Sequence, residues 1–132
     1  MGVRDLLGLD TEIVGVVATG APAYQLSFAA GEPVSTPSAD TFVDGVATRR
    51  PDARAVARIC AGAARVIAVS DDDVREAMRV MHRCTHSATE PAGAIALAGA
   101  RAERDLLTGR SVAVICSGAN ADASLVASVL AG

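Results

Sequence analysis

Three short apolar runs divide the chain, at residues 12–17, 65–69 and 111–116. Each run consists mainly of valine, isoleucine and alanine and ends close to a turn rich in small or polar residues. Short runs that are rich in β-branched residues and apolar on both faces are typical of strands buried inside a sheet. The pattern therefore predicts three buried β-strands.

The segments between and after these runs have helical spacing. Apolar residues recur three or four positions apart after Ser70, where three aspartates complement the positive end of a helix dipole. Helices are also predicted at residues 2–9, 23–31, 52–64 and 92–104, and near the C-terminus. Strands followed by helices indicate an α/β fold: a small three-layer βαβ domain whose parallel sheet has about three or four strands.

Length and charge narrow the classes of protein to which the chain could belong. A chain of 132 residues predicts one domain, residues 1–132. A net charge of −3 without a basic patch argues against nucleic acid and anionic membrane as partners. With no apolar run near the roughly 20 residues of a membrane span and no signal peptide, we predict a cytoplasmic protein. Cys60, Cys84 and Cys116 are predicted to be reduced, unreactive thiols in apolar surroundings.

All basic residues other than the two histidines are arginine, so these 132 residues contain no lysine. No side-chain amine is therefore available for a Schiff base or for a lysine general base. This excludes a whole class of covalent chemistry for the chain acting by itself.

Ligands of open parallel sheets bind beyond the carboxyl ends of the strands, where residues 19–22, 70–73 and 117–120 form candidate turns. The third turn, Ser117-Gly118-Ala119-Asn120, combines small residues with a hydroxyl and an amide, so a ligand could approach its backbone closely. The alternative is an ordinary turn in which Asn120 or Asp122 caps the last helix.

Two further groups of polar residues have plainer interpretations. Glu90 precedes Pro91 and fits the start of a helix, where its carboxylate faces the positive dipole end. His82 and His86 are four apart with Cys84 between them, but two histidines without a CxxC or HExxH motif do not define a zinc site. An ordinary, partly exposed helix face is favoured there.

In chain order, five short motifs resemble the C-terminal portion of the threonine/serine ammonia-lyase (threonine dehydratase) family. These are pyridoxal-phosphate enzymes of amino-acid metabolism with the tryptophan-synthase β-subunit fold (fold type II), and the resemblance implies part of their large domain. They catalyse β-elimination to a 2-oxo acid and ammonia. The matching motifs are Ile13-Val14-Gly15-Val16 with Gly20-Ala21-Pro22-Ala23, Asp44-Gly45-Val46-Ala47, Val69-Ser70-Asp71-Asp72, Glu90-Pro91-Ala92-Gly93-Ala94 and Ser117-Gly118-Ala119-Asn120.

The resemblance implies five cofactor-binding residues. The hydroxyl of Ser117 would form a hydrogen bond with the pyridine nitrogen of pyridoxal phosphate, leaving that nitrogen largely unprotonated, as suits β-elimination. Gly45 would lie against the cofactor through its backbone, and Glu90 would lie near the ring. Gly118 and Asn120 belong to the same turn as Ser117.

The chain also departs from the family pattern. The Schiff-base lysine, a cofactor-contacting asparagine and the glycine-rich phosphate loop of the family are expected upstream of the matched segment. Ala119 replaces the second glycine of the usual Ser-Gly-Gly-Asn, and Val17 and Ala23 occupy positions where members have cation ligands, so no metal role carries over. No catalytic residue is assigned within the chain.

Two functions remain open at this point. The first is a truncated C-terminal portion of a pyridoxal-phosphate ammonia-lyase that is inactive alone and needs a lysine-bearing partner chain. The second is a non-catalytic module, either a small-ligand binder or a scaffold that self-associates as a homo-oligomer, most simply a dimer. An unrelated α/β domain that matches the motifs by chance is a third possibility.

Overall fold

The computed structural model describes residues 1–132, with six α-helices, two strands and one 3-10 turn. No helix combines the length and hydropathy needed to cross a membrane. The elements are α1 (Gly2–Leu7), β1 (Val14–Ala18), α2 (Ala23–Ala30), the 3-10 turn (Asp44–Val46), α3 (Ala53–Gly62), β2 (Arg65–Val69), α4 (Asp71–Thr85), α5 (Pro91–Ala102) and α6 (Ala123–Ala131).

The two strands form a parallel sheet in which Val14 lies opposite Arg65 and Ala18 opposite Val69. Beyond the strand ends, the Thr19 N–H donates to the Val69 carbonyl at 2.8 Å. At the other end, the Ile13 carbonyl accepts from the Ala64 N–H, also at 2.8 Å. The predicted α/β class with a parallel sheet is confirmed, with fewer strands than expected.

The prediction of a third strand at residues 111–116 is wrong. These residues form no backbone–backbone hydrogen bond, and the sheet contains only β1 and β2. Val112, Val114 and Ile115 are 49%, 39% and 77% exposed. The composition is that of a buried strand, but a strand also needs a neighbour with which to pair, and no other part of the chain forms a backbone hydrogen bond with these residues.

Helix α5 lies directly on one face of the sheet. A β-carbon on Gly99 would overlap the side chain of Val16 and would lie 3.4 Å from Cδ1 of Ile67. Helix α4 packs against α5 and extends the core toward α6. The central cluster of buried side chains consists of Ala18, Val43, Val69, Val74, Ala77, Met78, Ala94, Ile95, Ala98 and Val129.

The start of α4 is a complete capping box. The Ser70 hydroxyl oxygen accepts from the Asp73 N–H at 3.1 Å, and the Asp73 carboxylate accepts from the Ser70 N–H at 3.0 Å. The Ser70 hydroxyl also donates to this carboxylate, and these bonds hold the pKa of Asp73 below its ordinary value. The predicted cap is confirmed, and it fixes where β2 ends and α4 begins.

Several apolar side chains lie on the surface of the protein. Cys84 and Cys116 are exposed, so the prediction of apolar surroundings is wrong for both of these free thiols. On α1, Val3, Leu6 and Leu7 are 70%, 84% and 63% exposed. Cys84 lies in the last turn of α4, where the apolar stripe of that helix extends past the core.

A bidentate ion pair joins the start of β2 to the end of α5. Nε of Arg65 donates to Oε1 of Glu103 at 2.8 Å, and Nη2 donates to Oε2 at 2.7 Å. Arg65 also contacts Glu12 at 3.3 Å. The hydrogen bonds from Arg65 lower the pKa of Glu103, and the same contacts raise the pKa of Arg65. The pair keeps the end of α5 against the sheet.

This ion pair predicts acid sensitivity. Because the folded-state pKa of Glu103 lies below its ordinary value of 4.5, the pair stabilises the fold above about pH 4.5, and its contribution is lost as pH falls through the folded-state pKa. Glu103→Gln should lower the free energy of unfolding by about 1 kcal/mol or less at pH 7 and flatten its pH dependence below 4.5. Urea unfolding at several pH values measures both.

The matched control is Glu32→Gln, because Glu32 is exposed and takes part in no ion pair. Its unfolding curve should follow the unmodified chain at every pH. The same pH dependence in Glu103→Gln and in the unmodified chain would contradict a stabilising role for the pair.

Candidate functional site

The five predicted cofactor residues come together around the start of α5. Glu90 is the N-cap of this helix and Pro91 occupies its first turn. The Glu90 N–H donates to the Gly118 carbonyl at 3.2 Å, which places the turn of residues 117–120 directly on the helix start. A turn that lies 28 residues away in the chain is thereby fixed beside the positive end of the α5 dipole.

This contact is possible because Gly93 and Gly118 have no side chains. A β-carbon on Gly118 would lie 2.8 Å from Cδ of Glu90 and closer still to its Oε1, and one on Gly93 would overlap the Gly118 carbonyl oxygen. The sequence predicts that a ligand could approach the backbone of the turn that contains Gly118. The structure shows that the neighbouring group is the chain's own Glu90 carboxylate.

Ala92 connects two more of the predicted residues. Gly45 lies in the 3-10 turn, where an added β-carbon would be 2.7 Å from Cβ of Ala92. The Ser117 hydroxyl donates to the Ala92 carbonyl over a long 3.5 Å and is exposed. Because this single bond is weak, the hydroxyl can turn toward a ligand at little cost.

These groups border an open cleft of about 300 Å³. Gly45, Glu90 and Asn120 line it, while Ser117 and Gly118 adjoin it through their contacts with the start of α5. The lining contains three carboxylates and no basic side chain. The complete lining is Phe42, Asp44, Gly45, Glu90, Pro91, Ala92, Asn120, Ala121, Asp122 and Leu125. The cleft can accept hydrogen bonds and contact a flat ring, but it cannot balance a phosphate dianion.

The loop that carries Gly45 is held by a residue whose role the sequence does not reveal. The Asp71 carboxylate accepts from the Thr41 hydroxyl at 2.5 Å and from the Phe42 N–H at 3.1 Å. The Arg75 guanidinium lies 4.2 Å above the Phe42 ring. The sequence predicts Asp71 only as an acidic residue in the first turn of a helix. No local pattern links it to Thr41, which lies 30 residues earlier.

The other two candidate turns have structural roles. At residues 19–22, a β-carbon on Gly20 would overlap the Asp40 carbonyl, and the Asp40 N–H donates to the Gly20 carbonyl at 2.9 Å. The backbone of Asp40 therefore fills the space beside Gly20. Residues 70–73 form the capping box of α4.

His82 and His86 lie at the end of α4, and both are exposed. The structure contains no group of three metal-binding side chains placed to hold an ion, at this position or elsewhere.

The chain is similar in sequence to enzymes of one known family. Residues 1–118 match the family model described as pyridoxal-phosphate dependent enzyme. The biosynthetic L-threonine dehydratase of Mycobacterium tuberculosis is 36% identical over 123 residues, which are 92% of this chain and 28% of that enzyme. The phenylserine dehydratase of Ralstonia pickettii is 34% identical over 126 residues, which are 92% of this chain and 38% of that enzyme.

A solved structure agrees with these matches. The processed form of threonine deaminase isoform 2 from Solanum lycopersicum is 30% identical and superposes with a TM-score of 0.86 over 98% of this chain and 38% of the other. The chain spans well under half the length of each of these relatives. The resemblance drawn from the five motifs is confirmed, and this chain is a member of the pyridoxal-phosphate dependent enzyme family.

Proposed function

We propose that these 132 residues form one wall of the cofactor site of a pyridoxal-phosphate ammonia-lyase that acts on threonine, serine or a related hydroxy amino acid. The reaction is a β-elimination that gives a 2-oxo acid and ammonia. The observation that carries the proposal is the exposed Ser117 hydroxyl, held only by its 3.5 Å bond to Ala92, beside the cleft that contains Gly45 and Glu90. Two of the similar proteins are a threonine dehydratase and a phenylserine dehydratase, which supports the same reaction class.

The residues present fit one edge of the cofactor ring. The Ser117 hydroxyl can donate to or accept from a ring nitrogen without bringing a charge. Because Gly45 and Gly118 carry no side chains, Ala92 and the Glu90 carboxylate pack against their backbones and hold the groups around the cleft together. When bound, pyridoxal phosphate supplies the electron withdrawal that makes the Cα proton of an amino acid acidic and permits loss of its β-hydroxyl.

The same residues do not complete the site. The cleft lining has no basic side chain, and the chain has no lysine for covalent attachment of the cofactor. The buried hydroxyl of Thr89, next to Glu90, has no hydrogen-bond partner, as expected beside an incomplete site. We therefore propose that residues 1–132 are a single domain, the C-terminal portion of the catalytic fold. It is inactive alone, and the lysine and the phosphate-binding groups come from polypeptide outside it.

A second candidate is a non-catalytic module that self-associates, most simply as a dimer. The exposed Val3, Leu6 and Leu7 of α1 favour it, because unpartnered apolar surface promotes association. A chain that sediments as a monomer at high concentration would argue against this candidate. Three free thiols support a reducing, cytoplasmic location for either function.

The proposed cofactor wall predicts non-covalent binding of pyridoxal phosphate that depends on Ser117. The N-terminal amine is first acetylated so that no primary amine remains. Equilibrium dialysis should then show saturable binding, which Ser117→Ala weakens roughly two- to tenfold through the loss of one hydrogen bond.

The matched control is Ser111→Ala, an exposed serine at the opposite end of the same segment, which should bind like the unmodified chain. No saturable binding at millimolar pyridoxal phosphate would contradict the proposal. Equal affinities of the Ser117→Ala and Ser111→Ala variants would contradict it too.

The loop with Gly45 should depend on Asp71. Asp71→Ala removes the acceptor of the Phe42 N–H and should accelerate hydrogen exchange of that amide about tenfold or more, since hydrogen bonds to charged groups are worth about 1.5–3 kcal/mol. Asp72→Ala is the control, because Asp72 is exposed and pairs only with Arg75. Unchanged exchange of the Phe42 amide in Asp71→Ala would show that the loop does not need this bond.

A further inference from the structure

A cavity of about 200 Å³ lies on the face of the sheet opposite α5. The side chains of Val16 and Ile67 point toward Gly99 of α5. Because successive strand residues point to opposite faces, Val17 and Val66 point away from α5, and both line the cavity. Helices α2 and α3 form its other wall. The cavity is therefore an unfilled part of the layer between the sheet and these two helices.

Two small residues leave this space unfilled. Gly15 lies in β1, where an added β-carbon would be 3.1 Å from Cγ2 of Val66. Ala63, the C-cap of α3, has only a methyl group to offer to the lining. Aliphatic side chains usually fill the layer between a sheet and its helices to high density, so a gap beside two such residues has a simple cause.

The lining of the cavity is apolar. It contains no charged side chain, and its one polar side chain is that of Tyr24, whose hydroxyl accepts from the Asp52 N–H at 3.3 Å. Water finds few hydrogen-bond partners in such a space, whereas an apolar molecule escapes unfavourable contact with water there. An apolar cavity of about 150 Å³ can hold benzene, so this cavity suits an uncharged molecule of about one aromatic ring.

The cavity shares one element with the candidate cofactor site. Val46 lines the cavity, while Asp44 and Gly45, the two residues before it, line the cleft at the start of α5. All three form the 3-10 turn, in which the Val46 N–H donates to the Val43 carbonyl at 3.0 Å. Because the turn is so short, a molecule that packs against Val46 restrains Gly45 as well.

We propose that this cavity is a binding site for a small, uncharged apolar molecule, and that the bound molecule holds the 3-10 turn in place beside the cleft. The site goes beyond the proposed function, because it takes a different ligand in a different cavity. Val46 completes the cavity wall only while the turn is closed, so the ligand binds that state more tightly than an opened one. The two sites are thereby coupled through one shared element.

Toluene is the probe for this site. Titration of the full 132-residue chain, followed by NMR, should show saturable binding with a dissociation constant of about 1 mM or below. Nuclear Overhauser contacts from toluene should reach the methyl groups of Val46, Ile59 and Val66 in the lining. They should not reach Leu6, which is 84% exposed on α1. These contacts locate the molecule without any substitution.

A substitution that fills the cavity should exclude the probe. Ala63→Leu places a larger apolar side chain in the lining and should weaken toluene binding at least about tenfold. The matched control is Ala64→Leu, at the next residue, which is exposed and outside the lining. It should change the affinity less than about twofold.

Hydrogen exchange measures the effect on the 3-10 turn. Saturating toluene should slow exchange of the Val46 amide and of the Ala47 amide, which donates to the Asp44 carbonyl at 3.0 Å, about threefold or more. The control is the Thr36 amide, which donates to the Arg49 carbonyl at 3.0 Å away from the cavity. Its exchange should not change.

Each remaining outcome decides. No saturable binding up to the aqueous solubility of toluene overturns the site, as do contacts confined to α1 or equal effects of Ala63→Leu and Ala64→Leu. Binding that leaves the Val46 and Ala47 amides unchanged overturns the coupling. A chain that binds toluene as expected but does not bind pyridoxal phosphate preserves the cavity site and contradicts the proposed function alone.

Discussion

Helix α5 contacts three other parts of the chain so closely that a larger side chain would not fit at any of the three contacts. Gly99 lies on Val16 of the sheet, Gly93 lies on the carbonyl of Gly118, and Ala92 touches the backbone of the 3-10 turn. These contacts fix the sheet, the turn of residues 117–120 and the loop before α3 relative to one another. The candidate site exists because the turn of residues 117–120 and the 3-10 turn meet at the start of α5, where Glu90 is the N-cap residue, while Gly99 holds the other end of the helix on the sheet.

Much of this arrangement follows from local sequence. Residues 65–69 form a strand with the predicted bounds, and Ser70 caps α4 as the three aspartates indicate. The failure at residues 111–116 has a physical cause. An apolar, β-branched composition indicates that a segment can form a strand. Pairing also requires a neighbouring backbone, which these 132 residues do not supply.

The candidate site could also be predicted only in part from the sequence. Family motifs pointed to Ser117, Gly45 and Glu90, and the fold places Gly45 and Glu90 in one cleft with Ser117 beside it. The bonds from Thr41 and Phe42 to Asp71 span 30 and 29 positions and leave no local pattern, so only the folded chain reveals them. Short-range signals such as caps, turns and periodicity are read from sequence, while long-range pairings are not.

The cleft at the start of α5 is a candidate cofactor site, and its lining contains three carboxylates and no basic side chain. Family membership supplies the cofactor, but the absence of lysine leaves these residues without the group that attaches it. The proposed function therefore depends on a lysine from polypeptide outside these 132 residues.

The most direct measurement is release of ammonia and a 2-oxo acid from threonine and serine by the purified 132-residue chain in the presence of pyridoxal phosphate. We expect no release above the rate of free cofactor, and release only after the lysine-bearing portion of a relative is added. Turnover by the chain alone, lost in Ser117→Ala prepared in the same way, would contradict the account, because a chain without lysine would then be catalytically complete.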